Sequence, residues 1–436
     1  MFSRKTEIRR KTTIERGVQR MEQPLHDFYR EHVYIQIRVH RISGGGMNVE
    51  QQKSKHAILL VLFLMSLNLH LELPVFSPFA ASLGATSLMI GMLLGMSSFA
   101  DMVGNVIAGP FIDRYNKKRF IVLPLLLSGA GFLAHAFVEN IGSLFFLRLA
   151  VDFILAFLMP AAIALLSSYA RNSREQGKNM AVYGIMMTIA SMLAPVIGGS
   201  FAETIGYEQI FLFIGAGMIV TGVLALFSIQ EKEAVVTVKA NTERHFTNQL
   251  LQPPFLSLLF AGFTVMFFFG TLQFELPYYV VEKGWSTSDT GKLFGIMGAG
   301  SLLVLCMFWI QRISAFSRVM FGLFFVSLCF YQLAASIIPL QLHWTVFLIG
   351  AGTGLLLPAI KTWLTEIVAR EDYGKSFAIL SAVYSLGAIA SSFLSGALRS
   401  YVSPYFFAFL LGMTAFTLIL HQTMKRPKAV KSLQKH

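Results

Sequence analysis

Several charged residues of this chain fall inside long apolar stretches, where a charge needs a specific purpose. Only 14% of the 436 residues are charged. A charge near the centre of a lipid bilayer costs at least ~2.5 kcal/mol, so each one requires an opposite charge, a proton or a water-filled cavity. The first candidates for proton coupling or ligand binding are therefore Glu72, Asp101, Arg148, Asp152 and Glu275.

Arg148 and Asp152 are spaced for direct contact. They lie four residues apart in one predicted helix, which places them on the same face and allows an ion pair. Two interpretations remain open at this stage. The pair either neutralises itself and is structural, or Asp152 binds a cationic group or accepts a proton.

Two glutamates occupy matching positions before a proline. Glu72 begins the tripeptide Glu72–Pro74, and Glu275 begins Glu275–Pro277. A buried carboxyl group can take up and release protons near neutral pH, which makes either residue a coupling candidate. The alternative is that both carboxylates hydrogen-bond backbone groups in turns disrupted by proline. For Asp101, which has Asn105 one turn later, the alternative to a role in transport is a structural role in helix packing.

The positions of these residues depend on the elements that carry them, and the composition indicates membrane helices. Hydrophobic residues make up 55% of the chain and its mean hydropathy is +0.61, which excludes an ordinary soluble protein. Twelve apolar stretches are long enough to cross ~30 Å of hydrocarbon. The predicted helices 1 to 12 span 57–81, 87–112, 120–138, 142–169, 179–202, 207–229, 254–281, 287–311, 317–338, 343–368, 375–398 and 401–422.

The longest internal connection, 230–253, divides these helices into two groups of six. The expected domains are an N-terminal bundle over 57–229 and a C-terminal bundle over 254–422, with polar basic tails at 1–56 and 423–436. Three glycines directly precede Met47. A purine-rich ribosome-binding site that is translated in frame commonly reads as glycines just before a start codon, so we expect translation to start at Met47. The alternative is a basic tail that touches anionic lipid.

The positive charges indicate how the chain is oriented. Most of the 36 Lys and Arg residues cluster on one side of the predicted helices, and the opposite connections hold only Lys283 and Arg399. By the positive-inside rule, both termini are cytoplasmic, in a multi-pass protein of the cell membrane and, we expect, of a bacterial inner membrane. This distribution disfavours nucleic acid as a partner. Cys306 and Cys329 both fall in apolar runs, which implies neither a disulfide nor a metal site.

The two halves of the chain resemble one another. The tripeptide at Glu72 recurs at Glu275 after 203 residues. Further matches occur in the same order at spacings of 198 to 200: Gly84, Gly91 and Gly95 with Gly284, Gly291 and Gly295, Pro160-Ala161 with Pro358-Ala359, and Ala170-Arg171 with Ala369-Arg370. Parallel repeats of this kind place a substrate site at the interface between the bundles.

The connection between predicted helices 2 and 3 reads Gly109-Pro-Phe-Ile-Asp113-Arg114-Tyr-Asn116-Lys117-Lys118-Arg119. It resembles the Gly-x-x-x-Asp-Arg-x-Gly-Arg-Lys loop of the major facilitator superfamily. Asn116 stands where that family usually has Gly, and Asn tolerates a left-handed backbone better than most residues. The resemblance implies a conformational latch formed by Gly109, Asp113, Arg114, Lys117 and Lys118. The alternative is positive-inside anchoring by the basic residues alone.

Predicted helix 5 carries a second resemblance. Its sequence from Ala190 includes Ala194, Pro195, Gly198 and Gly199, and is similar to the Gly-x-x-x-Gly-Pro-x-x-Gly-Gly pattern of the antiporter branch. Both leading glycines are replaced by Ala, but small residues still permit close helix packing. The pattern favours export over uptake, with generic helix packing as the alternative.

The family resemblance covers residues 57–422. It implies the major facilitator fold, an all-α polytopic membrane protein of two six-helix pseudo-repeat bundles that work by alternating access. No Gly-x-x-x-x-Gly-Lys-Ser/Thr phosphate loop is present, so energy must come from an ion gradient.

We therefore expect a secondary transporter, and no enzyme, that exports a small amphipathic or drug-like molecule in exchange for protons. The alternative is a proton symporter that imports a small metabolite. A polytopic membrane enzyme or a sensor is more remote, because no cluster of catalytic residues or extra soluble domain is evident. The predicted partners are a small-molecule substrate, protons and membrane lipid. We expect no cofactor and no metal, and a monomeric chain.

Overall fold

A computed structural model describes residues 49–170, 172–230, 252–335, 341–369 and 372–424. Within these ranges the regular elements are all helices. We number them by membrane crossing and give the letters a and b to the two parts of an interrupted crossing. The first half contains α1a Val49–Leu71, α1b Phe76–Ser82, α2 Ser87–Arg114, α3 Arg119–His135, α4a Ile141–Leu155, α4b Leu158–Ser168, α5 Ser173–Ile205 and α6 Tyr207–Ser228.

The second half repeats this order with fewer interruptions. It contains α7 Pro253–Glu282, α8 Thr287–Cys306, α9 Ala315–Ala335, α10 Leu342–Ile367, α11 Tyr373–Leu398 and α12 Pro404–Met424, with a short 3-10 helix at Phe308–Arg312. Among the described residues, eleven crossings are long and apolar enough to span a membrane, and α3 is a shorter apolar helix of 17 residues. The predicted all-helical, polytopic fold is confirmed.

Two predicted crossings contain a short interruption in the structure. Predicted helix 1 breaks between Leu71 and Phe76, and predicted helix 4 breaks between Leu155 and Leu158. A proline removes one backbone donor, and its ring meets the carbonyl group four residues earlier. Pro74 and Pro160 act in this way at the two breaks, whereas other prolines, such as Pro277, lie within continuous helices.

Two other predicted boundaries also change. Predicted helix 8 ends as an α-helix at Cys306, and the residues that follow Met307 form the 3-10 helix. Asp113 and Arg114, expected in the connection after predicted helix 2, belong to the last turn of α2. Both tails up to residue 48 and from residue 425, most of the predicted linker, and the end of predicted helix 9 lie outside the described residues.

Each half surrounds its own apolar core. Side chains such as Phe132 and Phe211 are fully buried in the first bundle, and Phe268 and Phe330 are fully buried in the second. Burial of a large apolar side chain of this size contributes roughly 1.5 to 3 kcal/mol. The two clusters lie mainly in the two halves of the chain, and Phe274 of α7 packs in the first one.

The sequence repeat corresponds to a repeat in the backbone. Gly84 and Gly284 follow α1b and α7 with φ angles of +87° and +71°, a conformation that glycine adopts without strain. Two residues later, Thr86 and Ser286 directly precede α2 and α8. The Thr86 hydroxyl accepts the Met89 backbone N–H, and the Ser286 backbone N–H donates to the Asp289 carboxylate at 3.2 Å. Equivalent residues therefore make equivalent turns in the two halves.

Candidate functional site

A cavity of about 480 Å³ lies between the two bundles. Helices α1, α2 and α4 line it from the first bundle, and α7 and α11 line it from the second. Its charged lining residues all come from the first bundle: Glu72, Asp101, Arg148 and Asp152. The second bundle contributes uncharged side chains, including Phe269, Gln273 and Tyr384. Four of the five charged candidates thus share one cavity.

Arg148 is the centre of the charged cluster. Its Nη1 atom donates to Oε1 of Glu72, and its Nε atom donates to Ser97 Oγ at 3.2 Å. The same Nε lies 2.8 Å from Asp152 Oδ2, the pair expected from their spacing on α4a. The guanidinium carbon also lies 4.5 Å from the centre of the Phe76 ring, within the range of a cation–π contact.

Two of these contacts come from the turn that interrupts helix 1 and from the residue that follows this turn. The turn between α1a and α1b includes Glu72, whose carbonyl oxygen accepts the Phe76 backbone N–H at 3.0 Å. The carboxylate of Glu72 and the ring of Phe76 therefore lie on either side of the break and both contact Arg148. An interrupted helix inside a membrane is tolerated where it lines a cavity, which is the position observed here.

Acids outnumber bases in the cavity. Glu72 and Asp152 share Arg148, while Asn105 donates to the backbone oxygen of Asp101 at 2.9 Å. That amide does not offset the charge of the Asp101 carboxylate. Among the described residues that line the cavity, three carboxyl groups thus face one guanidinium group, an excess of acids that suits a cationic group.

Glu275 lies apart from this cluster and is not among the residues lining the cavity. Arg399 donates from Nε to both of its carboxylate oxygens, at 3.1 and 3.2 Å. Arg399 also reaches Glu282, with Nη2 2.8 Å from Oε1, and lies 4.6 Å from the centre of the Tyr278 ring. The alternative of backbone hydrogen bonds is wrong for both repeated glutamates, because each carboxylate pairs with an arginine.

The small residues of α5 contact both bundles. A Cβ atom added at Gly198 would lie 2.1 Å from the carbonyl oxygen of Leu71, the residue before Glu72. One added at Gly199 would lie 2.6 Å from the carbonyl oxygen of Thr287, at the start of α8. Ala194 is fully buried, and the carbonyl oxygen of Pro195 lies where a Cβ on Gly291 would fall. The α5 pattern thus joins the helix 1 break to the second bundle.

The bundles contact each other closely at the predicted external face. On α2 and α11, a Cβ added at Gly91 would lie 2.8 Å from Gly396 Cα. On the pseudo-equivalent pair α5 and α8, Ser200 and Ser288 share a hydrogen bond of 3.1 Å. Near the opposite ends of α2, α5 and α11, a Cβ added at Gly109, Gly177 or Gly374 would meet no atom of the described residues within 4 Å. Among the described residues, the closest contacts between the bundles therefore lie at the predicted external face.

The predicted latch lies at the end of α2. Gly109 and Arg114 belong to the last two turns of that helix, and Lys117 and Lys118 follow it. The guanidinium carbon of Arg114 lies 5.9 Å from the centre of the Tyr115 ring. The side chain of Asp113 lies outside the described parts of the chain. The latch therefore stays a prediction.

Sequence reasoning missed several partners. Ser97 and Phe76 complete the environment of Arg148, and Tyr384 faces the same cavity from α11. Arg399 was assigned only to an external connection, yet it neutralises Glu275. Hydroxyl and aromatic residues are common in every helix of this chain, so no local pattern distinguishes the ones that reach the cluster.

Comparisons with known proteins agree with this architecture. The family model of the Major Facilitator Superfamily matches residues 58–349 and 319–435. The multi-drug resistance efflux pump PmrA of Streptococcus pneumoniae is 25% identical over 391 residues, which cover 84% of this chain and 96% of that protein. The multidrug resistance protein MdtG of Escherichia coli is 24% identical over 351 residues, which cover 78% and 86%.

Among solved structures, a bacterial homolog of the human lysosomal transporter Spinster has a similar fold. That crystal structure is in an inward-facing and occupied conformation and gives a TM-score of 0.71 at 16% sequence identity. The match covers 87% of this chain and 98% of that one.

Proposed function

Because the chain belongs to the Major Facilitator Superfamily, we propose that it exports a small amphipathic or drug-like molecule in exchange for protons. The chain is a multi-pass membrane transporter and not an enzyme. Export is supported by the names of PmrA and MdtG, both multidrug resistance proteins that match most of its length. The proposed location is a bacterial inner membrane, with both termini in the cytoplasm and the chain as a monomer.

The observation that carries this proposal is the acidic cluster in a largely apolar cavity. Glu72 and Asp152 both contact Arg148, Asp101 lines the same cavity, and the surrounding wall includes Met159 and Phe269. Apolar and aromatic walls suit an amphipathic molecule, and the acids suit a proton or a cationic group. A proton-driven exchanger needs both features in one cavity.

The proposed cycle uses competition for the carboxylates. In the proton-free state, Glu72 and Asp152 hold Arg148, as the observed contacts allow. Protonation of one acid removes an attraction to the guanidinium group and frees Arg148 to shift. A bound substrate and a bound proton thus favour different arrangements of α1 and α4, which is the differential affinity that coupling requires.

In alternating access, the two bundles would separate at the predicted external face, where they are now in close contact. The Gly91–Gly396 contact and the Ser200–Ser288 bond must both open for outward release. At the opposite face we propose that the latch of Gly109, Asp113, Arg114, Lys117 and Lys118 engages the second bundle in the outward-open state. The small residues Ala194, Pro195, Gly198 and Gly199 would transmit this motion from α8 to the helix 1 break.

The test is substrate-dependent proton movement in proteoliposomes, with a panel of cationic and neutral amphiphiles. We expect Glu72→Gln or Asp152→Asn to abolish proton coupling while downhill substrate exchange continues. Asp101→Asn tests the third acid, and Glu282→Gln, an exposed acid outside the cavity, is the matched control. Absence of any flux response to a pH gradient in the unsubstituted protein would contradict proton coupling. Accumulation driven by external acid would instead establish the import alternative.

A further inference from the structure

A second cleft lies between α1a and α5, at the end of the first bundle that is predicted to face the cytoplasm. Its volume is about 490 Å³. Polar residues line one part of it: Lys55, His56, Lys178 and Asn179. These residues are separate from the central cavity and have no role in the proposed transport cycle.

The polar part of the cleft contains an unsatisfied donor. Asn179 is only 3% exposed, and its Nδ2 atom has no hydrogen-bond partner among the described residues. A buried amide left unpaired costs about 1 to 3 kcal/mol, so such a group usually indicates a missing partner. Lys178 is the adjacent residue and its side chain is exposed. The two donors would suit an anionic oxygen acceptor.

Lys55 adds positive charge from the facing helix. Its Nζ atom lies 3.3 Å from Glu175 Oε1, and both side chains remain partly accessible, at 16% and 25%. One carboxylate thus offsets one of the two lysines, and Lys178 supplies an excess positive charge. A phosphate group is the anion whose several oxygens can accept from both Lys178 and Asn179.

The remainder of the cleft is apolar and lies deeper along the two helices. Leu60 follows Lys55 by about one and a half turns, and Val182 follows Lys178 by about one turn. Both are exposed in this structure, at 43% and 42%. A polar end at the membrane surface and an apolar end within the hydrocarbon reproduce the order of groups in a phospholipid. Inorganic phosphate would use only the polar end.

We propose that this cleft binds an anionic phospholipid, with its phosphate at Lys178 and Asn179 and an acyl chain beside Leu60 and Val182. Basic pockets between membrane helices on the cytoplasmic side suit such head groups. A lipid bound there would bridge α1a and α5, the two helices joined at their other ends through Leu71 and Gly198. The proposal concerns binding and does not depend on the direction or coupling of transport.

Native mass spectrometry of the purified full chain provides the test. The probes are phosphatidylglycerol and phosphatidylcholine with identical acyl chains, and inorganic phosphate as a competitor. We expect tighter binding of phosphatidylglycerol, and an affinity about fivefold lower in Lys178→Gln. Asn179→Leu should also weaken phosphatidylglycerol binding. Phosphatidylcholine binding should change little in either variant.

Arg312→Gln is the matched control, since it removes an exposed positive charge from the predicted cytoplasmic face outside the cleft. An equal loss in Arg312→Gln and Lys178→Gln would overturn the proposal, because it would reflect surface charge alone. Unchanged affinity in Lys178→Gln would do the same, and that variant replaces an exposed residue and should fold. If inorganic phosphate displaces the lipid completely and acyl chains add no affinity, the ligand is a free phosphate and the lipid assignment is wrong.

Discussion

The same tripeptide, Glu-Leu-Pro, has two different structural outcomes in the two halves of this transporter. At Glu72–Pro74 the helix breaks, and the carboxylate faces the central cavity, where Arg148 of the same bundle binds it. At Glu275–Pro277 the helix α7 continues, and the carboxylate binds Arg399 beyond the end of α11. Both arginines also lie over an aromatic ring.

The difference lies in where the arginine comes from. Arg148 belongs to a membrane-spanning helix and is only 12% exposed, so Glu72 must balance a charge inside the protein. Arg399 lies just past a helix end, is 20% exposed and has Glu282 as a second partner. A repeated acid therefore faces the central cavity in one half and pairs with an arginine at a helix end in the other. Sequence symmetry alone does not establish shared function.

Removing the arginine should separate the two sites most strongly. Arg148→Gln leaves Glu72 and Asp152 without a cation, and loss of one partner of a buried ion pair costs about 3 to 5 kcal/mol. We expect an equivalent loss of unfolding free energy in detergent and no coupled transport. The matched variant Arg399→Gln leaves only one buried acid, Glu275, without its cation, so we expect a smaller loss of about 1.5 to 3 kcal/mol. Equal losses in the two variants would break the comparison.

Replacing the prolines tests the role of the helix break. Pro74→Ala restores a backbone donor between α1a and α1b, which should favour a continuous helix and move Glu72 away from Arg148. We expect coupled transport to fall about tenfold, equivalent to about 1.4 kcal/mol. Pro277→Ala lies in a helix that is already continuous and should change transport less than about twofold. Initial flux rates in proteoliposomes, normalised to folded protein, compare the two.

Substituting Glu275 should affect stability more than transport. Glu275→Gln removes one charged partner of Arg399 but leaves Glu282 in place. We expect a loss of about 1 kcal/mol in unfolding free energy, with proton-coupled flux retained. Chemical unfolding and proteoliposome flux would measure the two quantities on the same preparation. If Glu275→Gln lost proton coupling but kept its unfolding free energy, Glu275 would again be a candidate for proton coupling.

Glu282→Gln should have the smallest effect. The Glu282 side chain is 58% exposed and Arg399 retains Glu275 as its other partner. Exposed ion pairs contribute about 0 to 1 kcal/mol, so we expect little change in the midpoint of thermal unfolding. A larger effect than that of Glu275→Gln would show that the outer pair, not the repeated glutamate, holds the end of α11.

Much of the fold could be predicted from the chain alone. The apolar runs indicated twelve crossings, and the matched glycines indicated the repeat that appears in the turns at Gly84 and Gly284. The contact between Arg148 and Asp152 could also be predicted from the sequence, because residues four apart share a helix face. These features follow from local spacing and hydrophobicity, which the sequence records directly.

Only the tertiary structure decided which charged residues meet. Glu72 and Arg148 are 76 residues apart, and Glu275 and Arg399 are 124 apart. Whether such residues touch depends on the rotation and depth of each helix, which small residues such as Gly198 and Gly291 set through close backbone contact. Periodicity fixes the face of a helix on which a side chain lies, but packing against other helices fixes what that face meets. For that reason the charged candidates could be named from the sequence, but only the structure shows that four of them line one cavity and that Glu275 does not.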